Sequence, residues 1–147
     1  MVNKRGQMKI SFGMIFSIIL IVIFIAAAFY GISVFLNYQK NIQIGQFITD
    51  FQSHVEKMYP SSQGSVVKEY NLPSAIEYVC FGDFPESGGS GTGRYAEIYR
   101  DLRLFSGGGK NMFFYPSEAS QGYNAVTIEY LDIQNMTAID NPYCVKN

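Results

Sequence analysis

From Ile10 to Gln39 the chain carries no charged side chain, and from Ile10 to Leu36 nothing more polar than Ser11, Ser17, Ser33 and Tyr30 interrupts it. At 1.5 Å per residue, a helix of about 27 residues reaches roughly 40 Å, more than the ~30 Å hydrocarbon thickness of a bilayer. A helix buried in a soluble protein can also be apolar all round. With 147 residues in all, however, too little protein is left to surround one this long. The segment predicts a membrane-spanning helix over 10–36.

Charge is segregated about that span. Of eleven basic residues only Lys4, Arg5 and Lys9 precede it, and all twelve acidic residues lie at Asp50 or later. Cations crowded on one side of a span stay cytoplasmic. Residues 1–9 are therefore expected to form a cytoplasmic basic leader and residues 60–147 an extracytoplasmic β-rich domain. Eight basic against twelve acidic side chains from Lys40 onward exclude the broad basic surface that nonspecific nucleic-acid binding needs. Membrane lipid is the partner this pattern implies. Ala26-Ala27-Ala28 also reads as a signal-peptidase site that would leave Phe29 as the first residue. Against it, the apolar run continues to Leu36, longer than the core of an ordinary signal peptide.

No Pro intervenes between Lys40 and Tyr59, and Ile44, Phe47, Ile48, Phe51, Val55, Met58 and Tyr59 recur at steps of three and four. That spacing draws one apolar stripe on a helix. The span is thus expected to continue as an amphipathic extension over 37–59, its stripe covered by the C-terminal domain or by a neighbouring copy. Pro60 and the Ser61-Ser62-Gln63-Gly64 run end it.

Beyond Gly64 the period falls to two. Val66, Tyr70 and Leu72 alternate with Val67, Glu69 and Asn71, and Ile76, Tyr78 and Cys80 with Glu77, Val79 and Phe81, around a turn at Leu72-Pro73-Ser74-Ala75, which predicts a hairpin. Gly88 to Gly93 is a flexible loop by composition. Tyr95, Ile98, Tyr99, Leu102 and Phe105 show helical spacing, closed by Gly107-Gly108-Gly109, and Asn111 to Tyr115, Ala125 to Ile133 and Tyr143 to Lys146 follow as strands. The expected fold class is α+β: a long N-terminal helix on a small antiparallel sheet with one short helix.

Cys80 and Cys144 both fall on the exported side, where oxidation is permitted. Joined, they would close a loop of about 65 residues and contribute roughly 4 kcal/mol. The competing reading is two buried free thiols; the bridge is the expectation. Asn135-Met136-Thr137 is an N-glycosylation sequon in the exported part.

Chemistry-bearing motifs are scarce. The only histidine, His54, stands beside Phe51 and Met58 on the amphipathic stretch and reads as a flank of its packing stripe or a surface group. Gly107-Gly108-Gly109-Lys110 fails as a phosphate loop, with Leu104 where a glycine and Asn111 where Ser or Thr is required. The glycines at 88 to 93 meet Arg94 where the third glycine of a dinucleotide loop should stand. Glu97 and Asp101 share a helix face among Arg94, Arg100 and Arg103, as a solvated ion-pair face does. Two isolated cysteines and one histidine offer no metal-ligand spacing. No enzyme activity, cofactor or metal is expected.

A short cationic leader, a glycine, a span continuous with an amphipathic half and a small distal sheet domain together resemble the type IV pilin superfamily. The motif that carries the likeness is Lys4-Arg5-Gly6-Gln7, which looks most like the archaeal class III signal peptides. The resemblance implies that a prepilin peptidase cuts between Gly6 and Gln7, leaving Gln7 as the mature N-terminus and the apolar helix as an assembly element. It also implies association with further copies or related pilin-like subunits through that helix, in a surface filament or a secretion or adhesion assembly. Two positions depart from the family pattern: Ser11 stands where many pilins carry an acid, and Lys9 where class III leaders have a small polar residue. The alternative is an uncleaved single-pass membrane protein with an external binding domain.

Overall fold

The computed structural model describes residues 12–60, 65–85, 89–120 and 122–147. The chain divides into two compact units, Met1–Asn37 and Tyr38–Asn147. One helix, α1 (Phe12–Met58, 47 residues), contributes to both. No proline falls within it, so every interior amide can reach its carbonyl four residues back. The described part of the first unit is this helix alone.

In the second unit the chain forms strands β1 (Tyr78–Phe81), β2 (Met112–Tyr115), β3 (Ala125–Val126) and β4 (Tyr143–Lys146). They make one antiparallel sheet in the order β3-β2-β1-β4. Side chains alternate across it. Val79, Phe81, Met112 and Phe114 turn to one face and are buried with Ile44 and Phe47 of α1 and with Ile76 and Ile128. Cys80 and Phe113 turn to the other face and are buried with Cys144, Ile98 and Leu102. Ile98 ends a three-ten turn, Gly93–Ile98, and Leu102 lies on the helix α2 (Tyr99–Arg103) that follows it. Both faces of the short sheet are therefore covered within the unit, and the fold is α+β.

The amphipathic stripe finds its cover here: Ile48, Phe51 and Val55 pack beside the buried Ile44 and Phe47. Met58 and Tyr59 are 40% and 68% exposed, and the Tyr59 ring lies 4.6 Å from that of Tyr130 between centroids. The helix ends at Met58, and the Tyr59 amide closes one last turn on the Val55 carbonyl at 2.9 Å.

Three expectations change. The hairpin does not form, because segment 65–73 lies outside every strand. Each strand has two edges, and both edges of β1 are taken by β2 and β4; Tyr70 and Leu72 pack instead against the α1 cluster. The strand expected over Ala125 to Ile133 stops at Val126. Tyr130 adopts a left-handed φ of 63°, and Asp132 then caps a short helix, α3 (Ile133–Met136), by accepting from the Asn135 amide at 3.2 Å. Helical spacing from Tyr95 to Phe105 is realised in two pieces. At their start Gly93 has a φ of 75°, and any Cβ there would collide with Asp140, whose carboxylate accepts from the Arg94 amide at 2.9 Å.

Candidate functional site

Two stretches of α1 differ in the surface they present. In the first, Phe16, Phe24, Phe29 and Phe35 are each more than half exposed, and the most apolar window, with mean hydropathy 2.9, has none of its residues buried. Exposed polar groups would make such a surface costly in lipid, where each unsatisfied donor costs several kcal/mol. The serines meet that condition internally: Ser17 Oγ donates to the Gly13 carbonyl at 2.8 Å and Ser33 Oγ to the Phe29 carbonyl at 3.0 Å. The helix is long and apolar enough to cross a membrane.

The second stretch is a docking face for the sheet. Phe47 stacks on Phe51 at 5.7 Å between ring centroids, and meets Tyr70 edge-on at 5.1 Å and Phe114 at 5.9 Å. Such edge and offset contacts add about 0.5–1.5 kcal/mol each beyond area burial. Polar pins flank the aromatic seam. Gln52 Oε1 accepts from the Glu129 amide at 2.9 Å, and His54 Nδ1 shares a 2.8 Å hydrogen bond with the Tyr70 hydroxyl. Burial raises the Tyr70 hydroxyl above the ordinary tyrosine value, and the Asp50 carboxylate raises it further. His54 thus flanks the packing stripe, with one ring nitrogen committed to Tyr70.

Cys80 and Cys144 are bonded to each other, on directly opposed positions of β1 and β4 with Cα atoms 4.0 Å apart. Asn135 is exposed on α3; its side-chain amide bonds Asp132, while Thr137 of the same triplet is buried and donates to the Ile133 carbonyl at 2.7 Å. Glu97, Asp101, Arg94 and Arg100 stand in solvent. Gly6 and Gln7 lie outside the described residues.

No family model matches the chain, and neither does any curated protein or solved structure.

Residues that sequence reasoning passed over turn out to set the loops. Asn111 bonds the Ile128 amide and carbonyl, both at 2.8 Å, through the two ends of its own side-chain amide. Asn141 does the same to Asp83, accepting from its amide at 3.1 Å and donating to its carbonyl at 2.8 Å. Asn147 donates to the Pro73 and Ile76 carbonyls at 3.2 and 2.9 Å. Asn111 and Asn141 work as backbone mimics with a donor and an acceptor on one short stem, while Asn147 spends both amide hydrogens on carbonyls. The only local signal is position, after the glycine run for Asn111 and before Pro142 for Asn141. Among the described residues no three His, Cys, Asp or Glu side chains gather as metal ligands would.

Proposed function

We propose that this chain is a pilin-like structural subunit, held in a cell membrane by a single pass with its N-terminus cytoplasmic and its Tyr38–Asn147 unit outside. A prepilin peptidase processes it between Gly6 and Gln7, and the apolar stretch of α1 joins further copies or related subunits in a surface filament or a secretion or adhesion assembly. The observation that carries the reading is the exposed apolar stretch of α1 with its serine hydroxyls bonded to its own carbonyls. A helix of that kind exchanges lipid contacts for side-chain packing without stranding a serine hydroxyl. The motif Lys4-Arg5-Gly6-Gln7 at the leader supports it, as does a second unit whose apolar stripe is already covered by its own sheet.

The mature N-terminus is the test. Intact mass of the membrane-extracted protein gives a chain beginning at Gln7 under this reading; a chain still beginning at Met1 overturns processing and leaves an uncleaved anchor with an external domain. Gly6→Phe should hold the protein at its precursor mass and remove it from sheared surface material. Unchanged recovery in that material counts against the proposal.

A further inference from the structure

The chain at 82–85 and at 106–111, with Arg103 and Ile133, walls a recess of about 350 Å³, and no residue of α1 lines it. Sites for small ligands begin near about 300 Å³, so the recess has room for one small molecule. Two cations, Arg103 and Lys110, and one carboxylate, Asp83, charge its walls. The balance among the described residues is a single positive charge. Arg103 is steadied at the rim, where its Nη1 donates to the Gly89 carbonyl at 3.1 Å. A guanidinium carries five N–H donors in a planar fork, and the rest of this fork meets no acceptor among the described residues.

Glycine lines the same recess at three successive positions. Gly108 and Gly109 take φ of 75° and 73°, which accounts for glycine at both. Gly107 is different. Its φ is not positive, and a Cβ there would meet nothing within 4 Å. Neither the backbone nor crowding within the chain calls for a glycine at 107, although glycine loses more conformational freedom on folding than any other residue. A bare backbone at the wall of a charged recess suits close approach by a ligand. An entering anion meets Arg103 and Lys110, while Asp83 opposes a second negative charge and accepts from a hydroxyl instead. Pro85 and Ile133 add an apolar edge. We propose that this recess binds a hydroxylated monocarboxylate, a uronic-acid sugar ring, with its carboxylate on Arg103 and Lys110 and a hydroxyl donating to Asp83. A phosphate monoester, with nearly two negative charges at pH 7, exceeds the one positive charge on offer. The site lies away from α1 and does not depend on how that helix is used.

The probes are sodium D-glucuronate and its methyl glycoside, with glucose and inorganic phosphate as controls. Each is titrated into the full chain in zwitterionic nanodiscs while the amide shifts of Gly107, Gly108 and Gly109 are followed. Glucuronate should saturate these shifts with an affinity at least about tenfold above glucose and phosphate, the margin of one hydrogen bond to a charged group. Binding of both uronates assigns the end of an acidic polysaccharide, and binding of the free acid alone assigns a free sugar acid. Arg103→Gln and Arg103→Lys should each weaken glucuronate by about tenfold, the second because an ammonium lacks the planar fork. Gly107→Val should weaken it as much without lowering the urea midpoint, and Asp83→Asn should narrow the gap between phosphate and glucuronate. Unchanged exchange protection at Phe113 and Phe114 verifies the fold of each variant. Equal shifts with glucose, phosphate bound as tightly as glucuronate by the unsubstituted chain, or a glucuronate affinity unmoved by Arg103→Gln would overturn the proposal.

Discussion

Phe24 and Phe47 belong to the same helix, yet one is 68% exposed and the other 7%. The difference lies in their neighbours along the sequence. Around Phe24 every helical face is apolar, as lipid or a surrounding bundle requires; around Phe47 apolar residues recur at three and four among Gln43, Gln46, Asp50 and Gln52. An all-round apolar surface has no preferred direction of burial, whereas a stripe has one. Hydropathy therefore gives the medium, and periodicity gives the partner.

The contrast breaks most visibly at Phe47. Phe47→Ala removes a ring that touches Phe51, Tyr70 and Phe114, and should destabilise the Tyr38–Asn147 unit by up to about 5 kcal/mol. Phe24→Ala should leave that unit's unfolding unchanged. Near-ultraviolet circular dichroism of both variants during urea titration in mild detergent checks the pair, and equal losses would erase the distinction. Reducing the Cys80–Cys144 bond, which spans a sequence separation of 64, should cost the same unit about 4 kcal/mol, read as a lower urea midpoint with dithiothreitol. The apolar stretch has its own weak point. Ile21→Asp should raise the free energy of membrane insertion by about 3 kcal/mol, measured as the fraction of chain resisting carbonate extraction, without moving the unfolding midpoint.

The smallest effect sharpens the comparison by pH. Tyr70→Phe removes the hydrogen bond to His54 and should cost about 1 kcal/mol. Because the folded hydroxyl titrates above its ordinary value through burial and Asp50, stability is fully present below about pH 10, the value of an unfolded tyrosine, and falls as pH rises through the folded value. Tyr70→Phe should abolish its share of that alkaline loss; an identical alkaline profile in the variant would show that another group carries it.

Long-period features were legible in the sequence. The uncharged run from Ile10 and the stripe at Ile44, Phe47, Ile48 and Phe51 each repeat one signal over many residues, so local exceptions do not matter. Cys80 and Cys144 were paired by compartment and number alone. Segment 65–72 shows the limit. Its alternation at Val66, Tyr70 and Leu72 is that of a strand, but a hairpin needs an edge of the strand it folds back on, and β1 has both of its edges paired, with β2 and β4. Edge availability is a property of the whole sheet, invisible in any window. The truncation of β3 was more nearly readable, since Asp132 followed by Asn135 is a capping arrangement. The asparagine clamps at Asn111, Asn141 and Asn147 act on backbone groups up to 74 residues away, and no local pattern announces them. The leader motif proposed at Gly6 and Gln7 concerns processing rather than packing, and the mature terminus is what tests it.

The bond between Cys80 and Cys144 also has a mechanical meaning. It fastens strand β1 to strand β4 and encloses β2, α2, β3 and α3 in one covalent ring. A tensile load applied between Tyr38 and Asn147 would bypass everything inside the ring. Only about 45 residues could then be drawn out, reaching roughly 150 Å at ~3.4 Å each, against roughly 370 Å for the same unit with its thiols reduced. The disulfide is a stop on extension, so that a pull along the chain lengthens the unit by less than half of what the reduced chain allows.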